Sequence, residues 1–231
     1  MFKVKFADHI FEIDNKYNYV EKLCRDYITY EQSEKVIKVT ESEVLAENKT
    51  DDVYPLEYLE SLAVYRKICE TLLSDDILLF HCSAIAYDNK AYLFTAPSGT
   101  GKSTHTRLWK EVFGDRVTMI NDDKPLLKIT DDGAVVYGTP YSGKENLNTN
   151  TSAVVASIVI LQQAAIDKIE SVSPSDAFPM LLNQTYRNTR AEAFLKTIGL
   201  VKKLSALPIY LLSCTPTKKA VEVVFSKLMG D

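Results

Sequence analysis

An eight-residue segment, residues 96–103, constrains the fold of this 231-residue chain more than any other. Its sequence, Ala-Pro-Ser-Gly-Thr-Gly-Lys-Ser, matches the phosphate-loop pattern GxxxxGK[ST], except that Ala96 stands where the first glycine is usual. Gly99 and Gly101 let successive backbone N–H groups turn into a concave anion-binding nest without obstruction from a Cβ atom. A strand-like apolar stretch precedes the segment and a predicted helix over residues 102–113 follows it, which is the context that such a loop requires.

The loop predicts a site for a nucleoside triphosphate, most simply ATP with Mg²⁺. The positive N-terminal end of the following helix would face the phosphates. We expect Lys102 to reach the β- and γ-phosphates and the hydroxyl of Ser103 to bind Mg²⁺. The residues expected to contact the nucleotide are consecutive: Pro97, Ser98, Gly99, Thr100, Gly101, Lys102, Ser103 and Thr104.

Two apolar stretches before the loop, residues 77–87 and 90–95, predict a β-hairpin. Only an Asp-Asn dipeptide lies between them, and both residue types tolerate positive φ, so a two-residue turn is the simplest interpretation. With that turn, Tyr87 faces Lys90 and His81 falls opposite Ala96, at the mouth of the phosphate loop.

This register makes His81 a candidate catalytic residue. We expect it to contact the phosphate that is transferred, or to orient a carboxylate that acts as the base. No comparable argument applies to His9 or His105, and we interpret His105 as a residue on a helix face.

The pair Asp122-Asp123 follows Lys102 by 20 residues, at the end of a strand predicted over residues 117–120. Three other Asp-Asp pairs, at 51–52, 75–76 and 131–132, are interpreted as surface turns. In an α/β sheet, binding groups gather at the carboxyl ends of the strands, beside the phosphate loop. Two carboxylates there can divide the work, one on Mg²⁺ and one accepting the proton of an attacking hydroxyl.

Phosphoryl transfer also needs positive charge beyond Lys102 to stabilise the transition state. Lys144, in the glycine-bounded segment Ser-Gly-Lys, is the first candidate, with Arg187 and Arg190 behind it. The alternative for each of the three is a solvated surface charge.

The predicted elements indicate an α/β fold, with a mixed sheet flanked by helices. We divide the chain into a small β-rich N-terminal segment, residues 1–60, and a P-loop kinase-like domain, residues 61–231. The N-terminal segment contains predicted strands at 4–6, 10–13 and 36–40 and an exposed acidic loop over 41–52, and a helix follows from about 55 to 73. The remaining predictions are strands at 126–129, 134–137, 153–161 and 209–212 and helices at 175–183, 191–204 and 218–228.

The composition and net charge of the chain limit the classes of partner that it is expected to bind. Hydrophobic residues make up 46% of the chain, enough for a sizeable core, and the net charge of −4 argues against nucleic acid as a partner. The longest apolar run, residues 153–161, is far short of the ~20 residues that span a bilayer, and the N-terminus has no secretory signal pattern. The four cysteines are scattered without metal spacing. We therefore expect a cytoplasmic protein.

These motifs together resemble the catalytic domain of HPr kinase/phosphorylase and, more distantly, ATP-dependent phosphoenolpyruvate carboxykinase. The resemblance rests on His81, the hairpin, the loop fifteen residues later, the helix and the Asn-Asp-Asp sequence, and covers about residues 77–145. It implies that Lys102 and Ser103 bind phosphates and metal, that Asp122 is the general base, that Asp123 is the metal-side carboxylate and that His81 contacts phosphate. The two aspartates could also exchange roles. The implied fold is that of the HPr kinase C-terminal domain.

Three departures mark the chain as a divergent member. Thr104 follows the Lys-Ser pair where HPr kinases place an acidic residue, the segment after Asp123 does not match the one that engages the HPr protein, and residues 1–60 are too short for the usual N-terminal domain. Relatives of this kind include lasso-peptide kinases and enzymes that act on small hydroxylated molecules, and they often form homo-oligomers.

The leading functional hypothesis is an ATP-dependent kinase that phosphorylates a hydroxyl, either on a serine of a peptide or protein or on a small molecule. A carboxykinase is a weaker alternative because that enzyme is far longer. The alternative from another class is a nucleotide-gated binding module that transfers no phosphate. The sequence leaves open the acceptor, the role of residues 1–60, the oligomeric state and whether the reverse dephosphorylation occurs.

Overall fold

The strands of the chain form two separate sheets. The computed structural model describes residues 1–33 and 35–230, and within them the sheets have three and nine strands. Contacts divide the chain into two units, Met1–Ile77 and Leu78–Asp231. The predicted boundary after residue 60 falls inside a helix, Leu56–Leu72, that belongs wholly to the first unit.

The first unit combines the small sheet with three short or medium helices. Strands β1 and β2 form an antiparallel hairpin, and β3 lies parallel to β2. The helix predicted over residues 55–73 is present as α3. The elements are β1 (Phe2–Phe6), β2 (His9–Asp14), α1 (Asn18–Leu23), β3 (Lys35–Lys38), α2 (Glu41–Leu45) and α3 (Leu56–Leu72).

The prediction of an exposed acidic loop over residues 41–52 is wrong for its first residues, because helix α2 forms there. Thr40 caps this helix: its hydroxyl accepts the N–H of Glu43, while the Glu43 carboxylate accepts the N–H of Thr40 at 2.8 Å. This reciprocal capping box satisfies two backbone donors that would otherwise be open, which stabilises even a helix of five residues.

The second unit contains the large sheet, with strand order β4-β8-β9-β10-β6-β5-β7, and β12 also pairs with β10 and with β11. Helices α4 and α7 pack on each other, and α6 contacts β8 and β9. The predicted α/β fold with a mixed sheet flanked by helices is confirmed. The strands are β4 (Ile77–Leu79), β5 (Ser83–Tyr87), β6 (Lys90–Thr95), β7 (Val117–Asn121), β8 (Leu126–Thr130), β9 (Gly133–Tyr137), β10 (Ser152–Gln163), β11 (Lys168–Ser171) and β12 (Ile209–Cys214). The helices are α4 (Lys102–Phe113), α5 (Pro174–Asn183), α6 (Ala191–Leu204) and α7 (Lys218–Met229).

The predicted hairpin is present as β5 and β6, in the predicted register. Tyr87 pairs with Lys90, and both turn residues, Asp88 and Asn89, have positive φ values of 48° and 63°. The single strand predicted over residues 77–87 is wrong, however, because it is broken into β4 and β5. Strand β4 is at one end of the strand order and β5 is next to the last strand at the other end.

That break reveals how the sheet closes. Only residues 80–82 join β4 at one end of the strand order to β5 near the other, and only residues 122–125 join β7 to β8 across the same gap. Connections this short require the sheet to curl until its ends meet. The two connections run side by side: the N–H of Phe80 donates to the carbonyl oxygen of Pro125 at 3.3 Å, and that of Cys82 to Asp123 at 3.2 Å.

Strands β6, β7, β10 and β12 run in one direction and point their carboxyl ends at the same edge of this sheet. Strands β6 and β7 are each antiparallel to β5 and so have the same direction, while β10 is parallel to both β6 and β12. The phosphate loop follows β6 and the aspartate pair follows β7, so both leave the sheet at this edge.

Aromatic packing holds helix α4 in place behind the loop. Trp109 is fully buried and stacks on Tyr92 with ring centroids 6.0 Å apart, while Tyr87 and Phe113 meet its ring at 6.1 and 5.2 Å. Burying side chains of this size is worth several kcal/mol in total, which fixes the start of α4 relative to the hairpin.

Over the described residues, no helix is both long and apolar enough to cross a bilayer.

Gly138 should be intolerant of any side chain. A Cβ atom there would overlap the carbonyl oxygen of Thr149 and lie 2.7 Å from that of Ile120. We expect Gly138→Ala to lower the free energy of unfolding by about 1–3 kcal/mol or more, because backbone atoms cannot yield as a flexible side chain can. Gly199→Ala is the matched control: it lies within α6 with open space around it, and should raise stability by about 0.5–1 kcal/mol. Urea denaturation measures both, and equal effects would contradict the packing of the loop after β9.

Candidate active site

The segment between β6 and α4 has the backbone of an anion-binding loop. Gly99 and Gly101 have positive φ values of 81° and 113°, and no atom lies within 4 Å of where a Cβ would stand on either. Within the described residues, no side chain caps the N-terminus of α4. The N–H groups of its first turn are therefore open to a bound anion, where the helix dipole favours negative charge.

Lys102 lies within this loop, not in solvent. Lys102 is only 7% exposed. Its ammonium donates to the carbonyl oxygen of Ala96 at 2.9 Å and to that of Pro97 at 3.4 Å. Burial lowers the pKa of Lys102, while Asp123 acts in the opposite direction. A bound phosphate would replace the two carbonyl oxygens as the partner of the ammonium. Ser103, the predicted magnesium ligand, is exposed on the first turn of α4.

The curl of the sheet brings His81 to Asp123. The Nε2 atom of His81 lies 3.1 Å from Oδ1 of Asp123, and Nδ1 lies 2.9 Å from Oε1 of Gln184. The backbone N–H of His81 also donates to the carbonyl oxygen of Gln184 at 2.7 Å. Both ring nitrogens thus face oxygen atoms of neighbouring side chains.

Gln184 is a site residue that the sequence analysis missed. It lies 103 residues from His81, at the C-terminal cap of α5, and fixes both the backbone and the ring of the histidine. In the segment that follows it, the sequence marks only Arg187 and Arg190 as candidates. No local pattern marks the glutamine, because its role depends on a contact between distant parts of the chain.

Asp123 is held ionised by two basic side chains. Besides His81 on Oδ1, the ammonium of Lys124 lies 2.8 Å from Oδ2. Burial alone would raise the pKa of Asp123, but the hydrogen bond from His81 and the charge of Lys124 outweigh it, and the pKa falls to about 2. This carboxylate therefore carries its negative charge at every pH at which the protein would work.

Asp122 has the opposite electrostatic character. It is only 3% exposed, and burial raises its pKa, with the charge of Asp123 acting in the same direction. The N–H of Gly143 partly offsets this by donating to Oδ1 at 2.5 Å. A Cβ atom on Gly143 would lie 2.9 Å from Oδ2, so a glycine permits this close approach. A carboxylate with a raised pKa and one well-placed donor has the properties of a general base.

Asn121 fixes the turn that carries both aspartates. It is fully buried, and its Oδ1 accepts the N–H groups of Asp123 at 2.9 Å and Lys124 at 2.7 Å. Its Nδ2 donates to the carbonyl oxygens of Thr139 at 2.9 Å and Tyr141 at 3.3 Å. Asn121 is the first residue of the Asn-Asp-Asp motif, and an asparagine at a strand end is a known signal for such a turn.

The three other cations predicted to take part in phosphoryl transfer are exposed at the surface. Lys144 directly follows Gly143 and is exposed, so the loop that contacts Asp122 also carries this ammonium. Arg187 and Arg190 are exposed in the segment after Gln184. A role for any of the three in transition-state stabilisation stays a prediction.

His105 lies on a face of helix α4, as interpreted from the sequence, and that face is the buried one. The residue is 3% exposed, and its Nε2 accepts the indole N–H of Trp109 at 3.1 Å, one turn further along α4. Its ring also lies 4.8 Å from that of Phe94. Burial lowers its pKa to about 4. The reason is positional: residues i and i+4 share a helix face, and Trp109 defines the buried one.

The residues present fit Mg²⁺ only in company with a nucleotide. In the described part of the chain, no group of three or more His, Cys, Asp or Glu side chains could hold a metal ion alone. Mg²⁺ commonly takes one or two protein oxygens together with phosphates and water. The hydroxyl of Ser103 and the carboxylate of Asp123 would supply them, and Asp123 would then exchange its Lys124 contact for the metal.

Comparisons with known proteins add little beyond this geometry. No protein-family model matches the chain, and no curated protein is significantly similar to it in sequence. Among solved structures, the HPr(Ser) kinase/phosphatase from Coxiella burnetii matches 66% of this chain and 97% of its own with a TM-score of 0.40 and 11% identity. The structural similarity is distant.

The depressed pKa of Asp123 predicts a pH-dependent contribution to stability. Its folded value of about 2 lies below the ordinary 3.8, so its ionised form stabilises the fold above about pH 4, and that contribution is lost as the pH falls through 2. We expect Asp123→Asn to lower the free energy of unfolding by about 2 kcal/mol at pH 7, and the difference to shrink between pH 4 and 2.

Urea denaturation at a series of pH values measures this difference. Asp132→Asn is the control, since that exposed aspartate lies in the turn between β8 and β9, away from the site. A difference between wild type and Asp123→Asn that stays constant from pH 7 to pH 2 would show that His81 and Lys124 do not hold Asp123 ionised.

Proposed function

We propose that the protein is an ATP- and Mg²⁺-dependent kinase that transfers the γ-phosphoryl group to a hydroxyl, on a serine of a peptide or protein or on a small molecule. The observation that carries the proposal is the position of the Asp122 carboxylate, which is buried at the same sheet edge as an open phosphate loop, and burial raises its pKa. A loop that only bound nucleotide would need no such carboxylate.

Residues 97–104 hold the triphosphate in this proposal. The backbone N–H groups around Gly99 and Gly101 surround the phosphate oxygens, and Lys102 leaves the carbonyl oxygens of Ala96 and Pro97 to bind the β- and γ-phosphates. Bound Mg²⁺ supplies charge neutralisation on the phosphates. Asp123 and Ser103 are the side chains that would hold it.

Asp122 acts as the base. The acceptor hydroxyl oxygen forms a bond to the γ-phosphorus while its proton passes to the carboxylate of Asp122, and the bond from the γ-phosphorus to the bridging oxygen of ADP breaks. Gly143 keeps the carboxylate oriented through its N–H bond to Oδ1. Lys144 supplies positive charge near the transferred group, His81 contacts that group, and Gln184 keeps the imidazole of His81 in place.

The alternative is a nucleotide-gated binding module. It is favoured by the contacts that Lys102 makes with the loop carbonyls, because binding would have to break them and could thereby rearrange the loop. Transfer of phosphate to an acceptor distinguishes the two functions.

Replacing the base tests the proposal. With γ-labelled ATP, Mg²⁺ and a pool of serine-containing peptides and small alcohols, we expect wild type to label an acceptor and Asp122→Asn to reduce the rate by about 10²–10⁴-fold. Asp132→Asn removes the same charge from an exposed turn and should keep the wild-type rate. The raised pKa means that ionised Asp122 opposes folding, so the thermal midpoint of Asp122→Asn at pH 7 should be no lower than that of wild type.

The possible results separate the two functions. Label lost in Asp122→Asn with an intact fold supports the kinase. ATP binding by wild type without transfer to any acceptor of the pool points to the gated module, and transfer that survives Asp122→Asn excludes Asp122 as the base.

A further inference from the structure

A cavity of about 420 Å³ adjoins the phosphate loop. Its walls come from three places: the loop glycines Gly99 and Gly101, the first two turns of α4, and the carboxyl ends of β10 and β12. Its size falls within the range of small-molecule sites. Asp122, Asp123 and His81 do not line this cavity. The cavity is therefore separate from the side chains that are proposed to act in phosphoryl transfer.

The walls of the cavity are uncharged and partly apolar. Leu108, Ala164 and Pro216 supply apolar surface, and Thr104 and Gln163 supply polar atoms. Among the described residues that line the cavity, none is an aspartate, glutamate, lysine or arginine. Such walls suit a neutral aromatic group and its sugar better than a further phosphate or a charged peptide side chain, which would need partners of opposite charge.

His105 gives the cavity one directed donor. The indole N–H of Trp109 can only donate, so Nε2 of His105 must accept it and the ring proton must lie on Nδ1. No hydrogen bond from Nδ1 is found within residues 1–33 and 35–230. The residue is 97% buried and lines the cavity. Nδ1 is not one of the buried polar atoms that lack a partner, so it is open to solvent, and an acceptor on a ligand would take the place of water there.

We propose that this cavity binds the nucleoside of the triphosphate whose phosphates occupy residues 97–104, with the Nδ1–H of His105 donating to an acceptor atom of the base. The inference rests on the proposed nucleotide-binding function and assigns the part of the ligand that the loop itself does not recognise. It also gives His105, which the phosphate-loop motif does not include, a role in specificity.

The same walls favour adenine over guanine. Guanine presents two adjacent donors, N1–H and the 2-amino group, which a carboxylate accepts best. The cavity has no carboxylate on its walls. The nearby Asp167 is already engaged, because it accepts the backbone N–H of Thr215 at 2.6 Å and its hydroxyl at 3.0 Å. Adenine offers ring nitrogens as acceptors and needs no such partner.

Two substitutions at His105 separate its two hydrogen bonds. In His105→Gln, the amide can replace Nε2 as the acceptor for Trp109, but the donor at Nδ1 is lost. In His105→Asn, the amide nitrogen can replace Nδ1 as the donor, but the acceptor for Trp109 is lost. We expect His105→Gln to weaken ATP binding about tenfold and His105→Asn to weaken it less than threefold, although His105→Asn should have the lower thermal midpoint.

Inorganic tripolyphosphate serves as the probe for the loop alone. It has the phosphates without the nucleoside, so titration calorimetry should give it the same affinity, within twofold, for wild type and for both His105 variants. Wild type should also bind ATP at least fivefold more tightly than GTP.

Filling the cavity gives a second test that leaves the core untouched. Ala164 is exposed at the end of β10 and lines the cavity, whereas its neighbour Ala165 is exposed and does not. We expect Ala164→Phe to weaken ATP binding at least tenfold and leave tripolyphosphate binding unchanged. Ala165→Phe should affect neither.

The outcomes distinguish this inference from the function on which it rests. If wild type binds neither ATP nor tripolyphosphate, the nucleotide-binding function fails and the inference fails with it. If wild type binds both, but His105→Gln and Ala164→Phe change neither affinity or change both equally, the nucleoside lies elsewhere and the phosphate site stands. Selective loss of ATP affinity supports the proposal.

Discussion

The closure of the large sheet is the constraint on which the site depends. Two short connections, residues 80–82 and 122–125, cross the same gap and are held together by backbone hydrogen bonds. The hydroxyl of Ser83 adds a further bond, donating to the carbonyl oxygen of Asp122 at 2.9 Å. Because one connection carries His81 and the other carries both aspartates, closing the sheet assembles the polar groups in the same step. The phosphate loop joins them only because β6 and β7 run in the same direction.

Closure of the sheet also explains why the pKa values of two adjacent carboxylates shift in opposite directions. Asp123 points at the basic groups gathered by the junction, His81 and Lys124, and its pKa falls to about 2. Asp122 is turned towards the backbone of Gly143 and is buried without a cation in its hydrogen bonds, so its pKa rises. Neighbouring acids with pKa values pushed apart are a common basis for a division of roles in catalysis. In the proposed function, this difference gives proton transfer to Asp122, while Asp123 keeps a permanent negative charge.

Local sequence predicted the parts of this arrangement that local chemistry decides. The Asp-Asn turn fixed the register of β5 and β6, and the Lys-Ser start predicted α4 to the residue. The break between β4 and β5 could not be predicted, because the strand-like pattern of residues 77–87 gives no sign that its halves pair with different strands. The burial of His105 and the contact of Gln184 with His81 likewise depend on how distant elements pack. The roles of the predicted site residues stay proposals.

The most direct test of nucleotide binding at this loop is the affinity for ATP with Mg²⁺ after loss of a single positive charge. Lys102→Ala removes the buried ammonium over the loop, and Arg107→Ala removes an exposed charge further along the same helix. Isothermal titration calorimetry should show at least tenfold weaker binding for Lys102→Ala and no change beyond twofold for Arg107→Ala. Unchanged affinity in Lys102→Ala, or equal losses in both variants, would contradict the claim that this loop holds the triphosphate.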